Sequence, residues 1–264
     1  MTTLPDSAEF QGRRVVITGA AGIFGRWIAA AFADLGAELL LTDADGDALR
    51  AAAAALPGTP GTVPADLTHD ADIDALLDAI ASRWGAADIL INNAGIYPSG
   101  FLLDIDAAEW DRIMGVNLRA PFLLARGAAR QMIVAGQGGS IVNVSSGASR
   151  KMRASVVPYC TSKTALDRLT KGFALELAEH GIRVNAVEPG FAPGSAASPL
   201  TEAHVAATLD AIPLGRGSQP DDAPAAILFL CSAAGAYITG ATLAVDGGNS
   251  IGSLAVHQAK KTAL

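Results

Sequence analysis

The stretch that decides the fold is Arg13-Arg-Val-Val-Ile-Thr-Gly-Ala-Ala-Gly-Ile-Phe-Gly25. Its run of Val and Ile, residues 13–18, is typical of a buried strand, and the glycines lead into a helix-length segment, residues 22–35. Such a turn lets the backbone approach a pyrophosphate, and the N-terminus of the helix offers N–H donors to the anion. The same pattern is as common in a plain tight turn, so it is weak by itself. The candidate phosphate contacts are Gly19, Gly22 and Gly25.

Short apolar runs alternate with helix-length segments along most of the chain. The predicted strands are residues 13–18, 38–42, 62–64, 89–92, 140–145, 183–188 and 242–245. The predicted helices are residues 22–35, 46–56, 70–83, 107–135 and 158–179. This alternation predicts an α/β protein with a doubly wound Rossmann fold, in which helices flank a central parallel sheet of about seven strands.

Composition and charge limit what the chain can be. Its 264 residues are within reach of one large α/β domain, so we expect a single domain over residues 1–264. Half of the residues are hydrophobic and 17% are charged, which indicates a well-buried globular core. The net charge of −7 and the lack of a basic run disfavour nucleic acids and anionic membranes as partners, because both are bound by clustered Lys and Arg.

Cysteine content and the N-terminal sequence predict the compartment. Cys160 and Cys231 fit no metal-binding spacing, and one possible disulfide is weak evidence of secretion in a chain of this size. Residues 1–10 lack the basic and apolar regions of a signal peptide, and no stretch reaches the ~18 apolar residues of a membrane span. We therefore expect a soluble, cytoplasmic protein without a bound metal.

One long segment, residues 190–220, is predicted to be irregular and contains four prolines. It is longer than an ordinary connection and follows a strand, so we predict a lid over the site. A plain surface loop is the alternative, but an apolar inner face favours the lid. The residues of that face are Phe191, Leu200, Val205, Leu209 and Ile212.

Asp43 ends the second predicted strand, eighteen residues after Gly25. At that place a carboxylate accepts hydrogen bonds from both ribose hydroxyls of a dinucleotide but repels a 2′-phosphate. No basic residue occupies positions 20–22, 44 or 45, so NAD is favoured over NADP. The alternative is that Asp43 caps the next helix, a role that Asp45 would serve equally well.

Tyr159 and Lys163 are four residues apart in a predicted helix and therefore share one face. A free phenol titrates near ~10, and an ammonium at ~4 Å with an effective dielectric of ~20 contributes about 4 kcal/mol, or roughly three pKa units. We therefore expect Lys163 to lower the pKa of Tyr159, which would act as a general acid or base during hydride transfer at a carbinol carbon. Ser146, thirteen residues before Tyr159, is placed to hydrogen-bond the substrate oxygen.

Taken together, these residues resemble the short-chain dehydrogenase/reductase family, in its main branch of single-domain enzymes. The resemblance covers residues 10–250 and is highly specific, because the motifs occur jointly and in the right order. Beyond the residues above, the motifs are Asp66-Leu67, Asn92-Asn-Ala-Gly95, Val116-Asn-Leu118, Tyr159-Cys-Thr-Ser-Lys163, Pro189-Gly190 and Val245-Asp-Gly-Gly248.

The resemblance implies a role for each matching residue. The catalytic group would be Asn117, Ser146, Tyr159 and Lys163, with Asn117 holding a water that connects Lys163 to solvent. The residues implied to bind the cofactor are Gly19, Gly22, Ile23, Phe24, Gly25, Asp43, Asp66, Leu67, Asn93, Ala94, Gly95, Tyr159, Lys163, Pro189 and Gly190. Family members commonly form tetramers through the helices at 107–135 and 158–179, and we expect the tail, residues 250–264, to cover a neighbouring subunit or its active site.

Two positions depart from the family pattern. The usual glycine spacing would place Gly at position 23, where this chain has Ile23, so we expect a slightly altered phosphate turn that still binds the cofactor. The family often has a threonine four residues after the glycine of the Pro-Gly motif, where it binds the nicotinamide carboxamide. This chain has Gly194 there, followed by Ser195, so the replacing donor stays open.

The substrate is predicted as a medium-sized, partly apolar secondary alcohol or ketone. That expectation rests on the residues near the expected pocket, Tyr97, Met152, Val156 and Phe191. The cations Arg150, Lys151 and Arg153 are candidates for binding a substrate anion, although such charges are more often solvated loop residues. The alternatives are an NADPH-dependent 3-oxoacyl-carrier-protein reductase and a non-catalytic protein that senses the dinucleotide.

Overall fold

The computed structural model describes residues 7–194 and 200–252. Seven strands form one sheet: β1 (Arg14–Thr18), β2 (Glu38–Asp43), β3 (Gly61–Pro64), β4 (Ile89–Asn92), β5 (Gly139–Val144), β6 (Ile182–Pro189) and β7 (Thr242–Val245). Their spatial order is β3-β2-β1-β4-β5-β6-β7, and every neighbouring pair is parallel. The predicted doubly wound sheet is confirmed. Strands β2 and β3 are added on one side of β1, and β4 to β7 are added on the other side. The order of strands therefore reverses between β1 and β4, and ligands bind at this point in folds of this kind.

Helices cover both faces of the sheet: α1 (Ile23–Asp34), α2 (Gly46–Ala54), α3 (Asp70–Trp84), α4 (Ala107–Met114), α5 (Ala120–Val134), α6 (Val157–Leu177), α7 (Glu202–Asp210) and α8 (Asp222–Cys231). Strand β1 shows how the sequence divides the core, because successive strand residues point to opposite faces. Val15 and Ile17 pack with α1 and α8, whereas Val16 packs with α3 and α5. No helix of the described ranges is both long and apolar enough to span a bilayer.

The helix predicted over 107–135 is interrupted. Between α4 and α5 lies a five-residue π-helical segment, Gly115–Arg119, in which the N–H of Ala120 donates to the carbonyl of Gly115. Pro121 gives the reason, because it has no N–H to donate to the carbonyl of Asn117 four residues earlier. Such π segments often mark functional sites, and this one carries Asn117.

Two helices were missed by the sequence reasoning. The segment 190–220 is not wholly irregular, since it contains α7, whose N-cap Thr201 accepts a hydrogen bond from the N–H of His204. Helix α8 carries Pro224 in its first turn, where the missing N–H costs nothing. The prolines of this region therefore mark where helices start and are separated, and they were wrongly interpreted as excluding helix.

Candidate active site

The predicted site residues meet at the carboxyl ends of the strands, in a cleft of about 430 Å³. The glycine turn after β1 and the ends of β2 and β4 form one part of it, and the residues after β5 and β6 form the other. Except for Asn117 and Lys163, all the predicted site residues line this cleft. Those two lie directly behind Gly95: a Cβ built there would be 3.4 Å from the Lys163 Nζ and 3.5 Å from the Asn117 Oδ1.

The glycine turn is fastened to the loop after β4. The Thr18 hydroxyl accepts hydrogen bonds from the backbone N–H groups of Asn93 and Ala94, and the Asn93 side-chain amide donates to the carbonyls of Thr18 and Gly19. Gly19 has φ +63°, and a Cβ there would lie 2.7 Å from the Ala94 Cα. This close backbone approach is what requires glycine at position 19.

Helix α1 presents its N-terminus to the cleft. Its first helical hydrogen bond runs from the N–H of Arg26 to the carbonyl of Gly22, so the N–H groups of Ile23, Phe24 and Gly25 have no helical acceptor. A Cβ on Gly25 would lie 2.1 Å from the Gly19 carbonyl oxygen, so only glycine fits there. Ile23 already has helical geometry, which explains why the chain does without glycine at position 23. The turn therefore keeps free N–H donors at the start of α1 despite its altered glycine spacing.

Asp43 lies at the mouth of the cleft and is not a helix cap. Its carboxylate accepts hydrogen bonds from the N–H groups of Ala21 (3.0 Å) and Asp45 (3.2 Å). Asp45 is the N-cap of α2. The alternative that the sequence left open is thereby decided, and the Asp43 carboxylate faces the cleft. The exposed Arg26 donates to the Ala21 carbonyl at 2.7 Å, which places a basic side chain near this corner that the inspection of positions 20–22, 44 and 45 missed.

Asp66 and Leu67 line the same end of the cleft. The Asp66 carboxylate accepts from the backbone N–H and the hydroxyl of Thr68, and these hydrogen bonds lower its pKa. Leu67 is buried and packs into the core beneath. A carboxylate beside an apolar side chain is suited to a purine, whose face is apolar and whose edge carries hydrogen-bonding groups.

Tyr159 lies in the first turn of α6, and part of its side chain is open to the cleft. The Ser146 side chain lies near its hydroxyl and lowers its pKa, and the Tyr159 ring packs edge-on against Tyr97 with centroids 4.4 Å apart. The Ser146 hydroxyl also accepts from the N–H of Ala148 at 3.2 Å. The structure therefore brings together the two oxygens that the sequence placed thirteen residues apart.

Lys163 follows one turn later and is almost completely buried. Its ammonium donates to the Val144 carbonyl at 2.8 Å and lies 5.9 Å from the centroid of the Tyr159 ring. Burial lowers the pKa of Lys163 to about 8, against a smaller opposing effect of Asp167. Burial also raises the pKa of Tyr159 to about 12, although the nearby Ser146 side chain lowers it in part. The prediction that Lys163 lowers the pKa of Tyr159 is wrong for this arrangement, because desolvation of the phenol dominates and the Lys163 ammonium is bonded to the Val144 carbonyl.

Asn117 ties the loop after β4 to helix α6. Its side-chain oxygen accepts from the N–H of Ile96, and its amide donates to the Ile96 carbonyl and to the Ser162 hydroxyl. The Ser162 hydroxyl in turn donates to the Tyr159 carbonyl at 2.7 Å. Asn117 is thus linked, through the Ser162 hydroxyl, to the backbone carbonyl of Tyr159. Sequence reasoning missed Ser162, although its place inside the Tyr-to-Lys motif was a usable signal.

The end of β6 carries the wall that faces Tyr159. A Cβ on Gly190 would lie 2.7 Å from the Ser218 hydroxyl and 2.9 Å from the Asp246 Cα. The predicted lid contributes Phe191 and Leu200 from its expected apolar face, together with His204 and Thr208.

The other three residues of that predicted face do not line the cleft. Val205 and Leu209 lie elsewhere on the segment, and Ile212 is buried against the corner at Gly247. Gly194 reaches the cleft with φ +98°, whereas Ser195 and residues 253–264 of the tail lie outside the described residues.

Two of the four residues expected near the substrate are not in the cleft. Tyr97 and Phe191 line it, whereas Met152 is exposed outside it, and Val156 is buried against Cys160 beneath the two tyrosines. Val156 supports the floor of the site because its side chain faces the interior.

The three candidate cations have different surroundings. The Arg150 Nε lies 2.8 Å from a carboxylate oxygen of Glu188, whose side chain is 1% exposed. Lys151 donates to the Asn249 carbonyl, and Arg153 lines the cleft half-buried. Sequence reasoning missed Glu188, which gave no signal beyond its position before the Pro-Gly motif.

Comparisons with known proteins agree with this geometry. A family model described as enoyl-(acyl carrier protein) reductase matches residues 19–250. The chain is 36% identical over 246 residues to a galactitol 2-dehydrogenase of Agrobacterium fabrum, which covers 89% of this chain and 96% of that protein.

Two solved structures are similar to this chain. One is a short-chain type dehydrogenase/reductase from Mycobacterium marinum, with TM-score 0.85, 36% identity and coverage of 93% of this chain and 98% of that one. The other is a 3-ketoacyl-(acyl-carrier-protein) reductase from Brucella melitensis complexed with NADH, with TM-score 0.83, 35% identity and coverage of 91% and 99%.

Proposed function

We propose that this chain, a member of the short-chain dehydrogenase/reductase family, is an NAD-dependent dehydrogenase of polyhydroxylated alcohols. Enzymes of this family move hydride between a secondary alcohol or ketone and a nicotinamide cofactor. The observation that carries the proposal is that Tyr159 and Ser146 line one end of a cleft whose other end is formed by the glycine turn after β1. A bound nicotinamide supplies the hydride acceptor in oxidation and the donor in reduction.

The protein's own residues divide the remaining work. In oxidation Tyr159 acts as its phenolate and takes the hydroxyl proton of the alcohol; in reduction the phenol gives its proton to the carbonyl oxygen. The positive charge of a bound oxidised nicotinamide would favour that phenolate. Ser146 donates a hydrogen bond to the same oxygen, fixing the carbon in position and stabilising the charge that develops there. Lys163 would hold the nicotinamide ribose, while Asn117 holds α6 and the loop after β4 in register.

The opposite end of the cleft would hold the rest of the dinucleotide. The pyrophosphate would lie on the free N–H groups of α1, the adenosine ribose on Asp43, and the adenine between Asp66 and Leu67. The backbone of Asn93, Ala94 and Gly95 would border the adenosine, and Pro189 and Gly190 the nicotinamide side. Asp43 supports NAD over NADP because a carboxylate bonded to the phosphate turn repels a 2′-phosphate.

The substrate end of the cleft supports a polyhydroxylated substrate. Its lining combines apolar side chains with many hydrogen-bonding ones, and the relative from Agrobacterium fabrum is named a galactitol 2-dehydrogenase. The polar groups at this end include Ser146, Lys151, Arg153, His204, Thr208, Asp246, Asn249 and Ser250. A 3-oxoacyl thioester reductase is the alternative, and the structural neighbour from Brucella melitensis favours it.

One assay tests the proposal. The purified protein is given galactitol and other secondary alcohols with NAD or NADP, and acetoacetyl thioesters with NADH or NADPH, while absorbance of the reduced nicotinamide is followed. We expect NAD-dependent oxidation of at least one polyol, with kcat/KM at least ~100-fold above that with NADP. Activity only on the thioester with NADPH would favour the alternative. Dinucleotide binding without turnover of any substrate would favour a sensing protein.

A tetramer is the assembly we propose. Helices α4, α5 and α6 surround an open groove whose apolar lining includes Met114, Leu118, Phe122 and Leu169, and Leu175 on its rim is 82% exposed. An apolar surface of this kind on adjacent helices is typical of a subunit interface. Light scattering at micromolar concentration should give four times the chain mass, and a monomer would contradict the proposal.

The remaining assignments concern organisation and compartment. We propose one domain over residues 1–264, with 190–220 as a substrate lid and 250–264 as a tail beside a neighbouring subunit. Cys160 and Cys231 are both unpaired and buried, which supports a reducing compartment such as the cytoplasm.

A further inference from the structure

The substrate end of the cleft has cationic side chains that form no ion pair with a carboxylate in the described residues. Of the three cations between Ser146 and Tyr159, Arg150 is committed to the buried carboxylate of Glu188, which the Ser149 hydroxyl also binds at 2.8 Å. Substituting Arg150 would leave that carboxylate buried without its partner. Arg150 is therefore a structural cation and is not available to a substrate.

Lys151 is partly committed. Its ammonium donates to the Asn249 carbonyl, and burial lowers its pKa, with a further lowering from the charge of Arg153. A lysine ammonium has three donors, so two remain for a ligand in the cleft. A desolvated ammonium beside a second cation is stabilised by any anion that enters between them.

Arg153 is the uncommitted cation. It lines the cleft half-buried, and within residues 7–194 and 200–252 it has no hydrogen-bond or ion-pair partner. Arg153, Lys151 and Tyr159 line the same cleft, and the charge of Arg153 lowers the pKa of the other two.

One carboxylate at this end compensates only part of the positive charge. Asp43 and Asp66 lie at the cofactor end, beyond the glycine turn. Asp246 lines the substrate end, and its negative charge raises the pKa of Lys151. Its two oxygens accept the backbone N–H groups of Gly248 and Ser250, and it forms no ion pair with Lys151 or Arg153 in the described residues. Two cations therefore face one carboxylate.

The backbone that presents Arg153 is held in a strained conformation. Ser155 has φ +63° and is the one non-glycine residue with positive φ in the described parts of the chain. Its carbonyl accepts the N–H of Gly100 at 2.7 Å, which clamps the segment to the loop after β4. Residues in such conformations persist where the surroundings over-determine them, commonly at ligand sites.

We propose that Arg153, assisted by Lys151, binds a carboxylate of the substrate, so that the preferred substrates are polyhydroxylated acids and not neutral polyols. This inference rests on the proposed function and specifies its substrate class. A guanidinium offers two parallel N–H donors that match the two oxygens of one carboxylate. The acid is oxidised at a secondary carbinol: the C–H bond would give hydride to the oxidised nicotinamide, the O–H proton goes to the Tyr159 phenolate, and a keto acid leaves.

Matched substrate pairs test the proposal. Galactitol with galactonate, and sorbitol with gluconate, differ only in one terminal CH2OH that is replaced by a carboxylate. We expect the wild-type protein with NAD to prefer the acid in at least one pair, by about 10-fold or more in kcat/KM. Arg153→Gln should remove at least about 10-fold of that preference, mainly through KM, and Arg153→Lys should retain part of it.

The ratio of kcat/KM for the acid to kcat/KM for the polyol separates recognition of the carboxylate from catalysis. Loss of the Arg153 charge also raises the pKa of Tyr159, but that effect acts on both members of a pair equally. Arg130→Gln removes the same charge from the exposed side of α5, away from the cleft, and should leave the ratio unchanged.

Each other outcome overturns the inference in a distinguishable way. If polyols are oxidised as well as their acids, or if Arg153→Gln lowers both rates equally, the carboxylate site is wrong and the proposed function stands. If none of the four compounds is oxidised with NAD or NADP, the proposed function fails together with the inference.

Discussion

The two ends of the cleft are built by different means. At the cofactor end, backbone lies on backbone: Gly19 approaches Ala94, Gly25 approaches Gly19, and hydrogen bonds from Thr18 and Asn93 fasten the two loops. At the substrate end, side chains pair across the segment between Ser146 and Tyr159 and the corner after β7.

This difference has a physical consequence. A close backbone contact requires that no side chain is present, so only glycine fits. Any other residue at such a position is seen directly in the sequence. A side-chain pair such as Arg150 with Glu188 depends on which of several similar groups the fold brings together. The residues that build the cofactor end can therefore be predicted from the sequence. The side-chain pairs at the substrate end were predicted only in part. The predictions below test each end separately.

Ser146→Ala should give a large effect at the substrate end, exceeded only by loss of the Tyr159 hydroxyl. The change removes one donor to the developing oxyanion and the side chain that lowers the pKa of Tyr159. We expect kcat/KM on a good alcohol to fall by roughly 100- to 1,000-fold, with NAD affinity unchanged within ~3-fold. Steady-state kinetics and calorimetric titration with NAD check this. Unaltered turnover would show that the two ends do not differ as described.

Gly25→Ala tests the cofactor end. The added Cβ would lie 2.1 Å from the Gly19 carbonyl oxygen, so the turn must open and the N-terminus of α1 must move. We expect NAD affinity to fall by about 100-fold, measured by titration calorimetry, together with a lower Tm. Gly172→Ala is the control, because nothing lies within 4 Å of its Cβ and a helical alanine is favoured there. Equal effects of the two variants would contradict the backbone account.

Lys163→Met should stabilise the fold in a pH-dependent way. Burial lowers the pKa of Lys163 from 10.5 to about 8, so below pH 8 folding desolvates a charge at a cost of about 3 kcal/mol. The cost disappears as pH rises from 8 to 10.5, because the folded protein has then lost a proton that the unfolded chain keeps. After subtracting the lost bond to Val144, we expect a gain of about 2 kcal/mol at pH 7 by urea denaturation. A gain that stays constant up to pH 10.5 would exclude this origin.

Asp43→Ala should give the smallest effect. Without the carboxylate, NAD loses its ribose contact and NADP loses its repulsion, so the ratio of their kcat/KM values should narrow by about 10-fold. Asp45→Ala is the matched control, since it removes an acid that caps α2 outside the cleft. It should cost about 1 kcal/mol of stability and leave the ratio unchanged. If instead Arg26 directs the choice of cofactor, Asp43→Ala will leave the ratio where it was.

Periodic apolar patterns predicted the fold well because the sheet is buried on both faces. All seven strands lie within about two residues of their predicted positions. The errors fall where one residue changes the backbone locally. Pro121 interrupts the helix at Asn117, and prolines at 193, 199, 213 and 220 hid the short helix α7. Helix α7 buries none of its residues fully, which agrees with its weak apolar periodicity.

At the candidate site, residue type was predictable and electrostatics was not. The motifs located Ser146, Tyr159 and Lys163 because catalysis needs those groups at fixed spacing on one helix and one strand end. The expected pKa of Tyr159 was wrong because the Lys163 ammonium bonds to the Val144 carbonyl, and neither that bond nor the burial of the phenol can be inferred from spacing. The partner of Arg150 is Glu188 on β6, thirty-eight residues away, which sequence proximity does not report.

Tyr159→Phe tests most directly the claim that this protein moves a proton through Tyr159 while hydride is transferred. The phenylalanine ring keeps the packing on Tyr97 and removes only the hydroxyl. Turnover of the best alcohol with saturating NAD should fall by at least ~1,000-fold, while the Kd for NAD changes by less than ~3-fold. If Tyr159→Phe keeps more than about a tenth of the wild-type turnover with NAD binding intact, the proton is carried by another group and the mechanism is wrong.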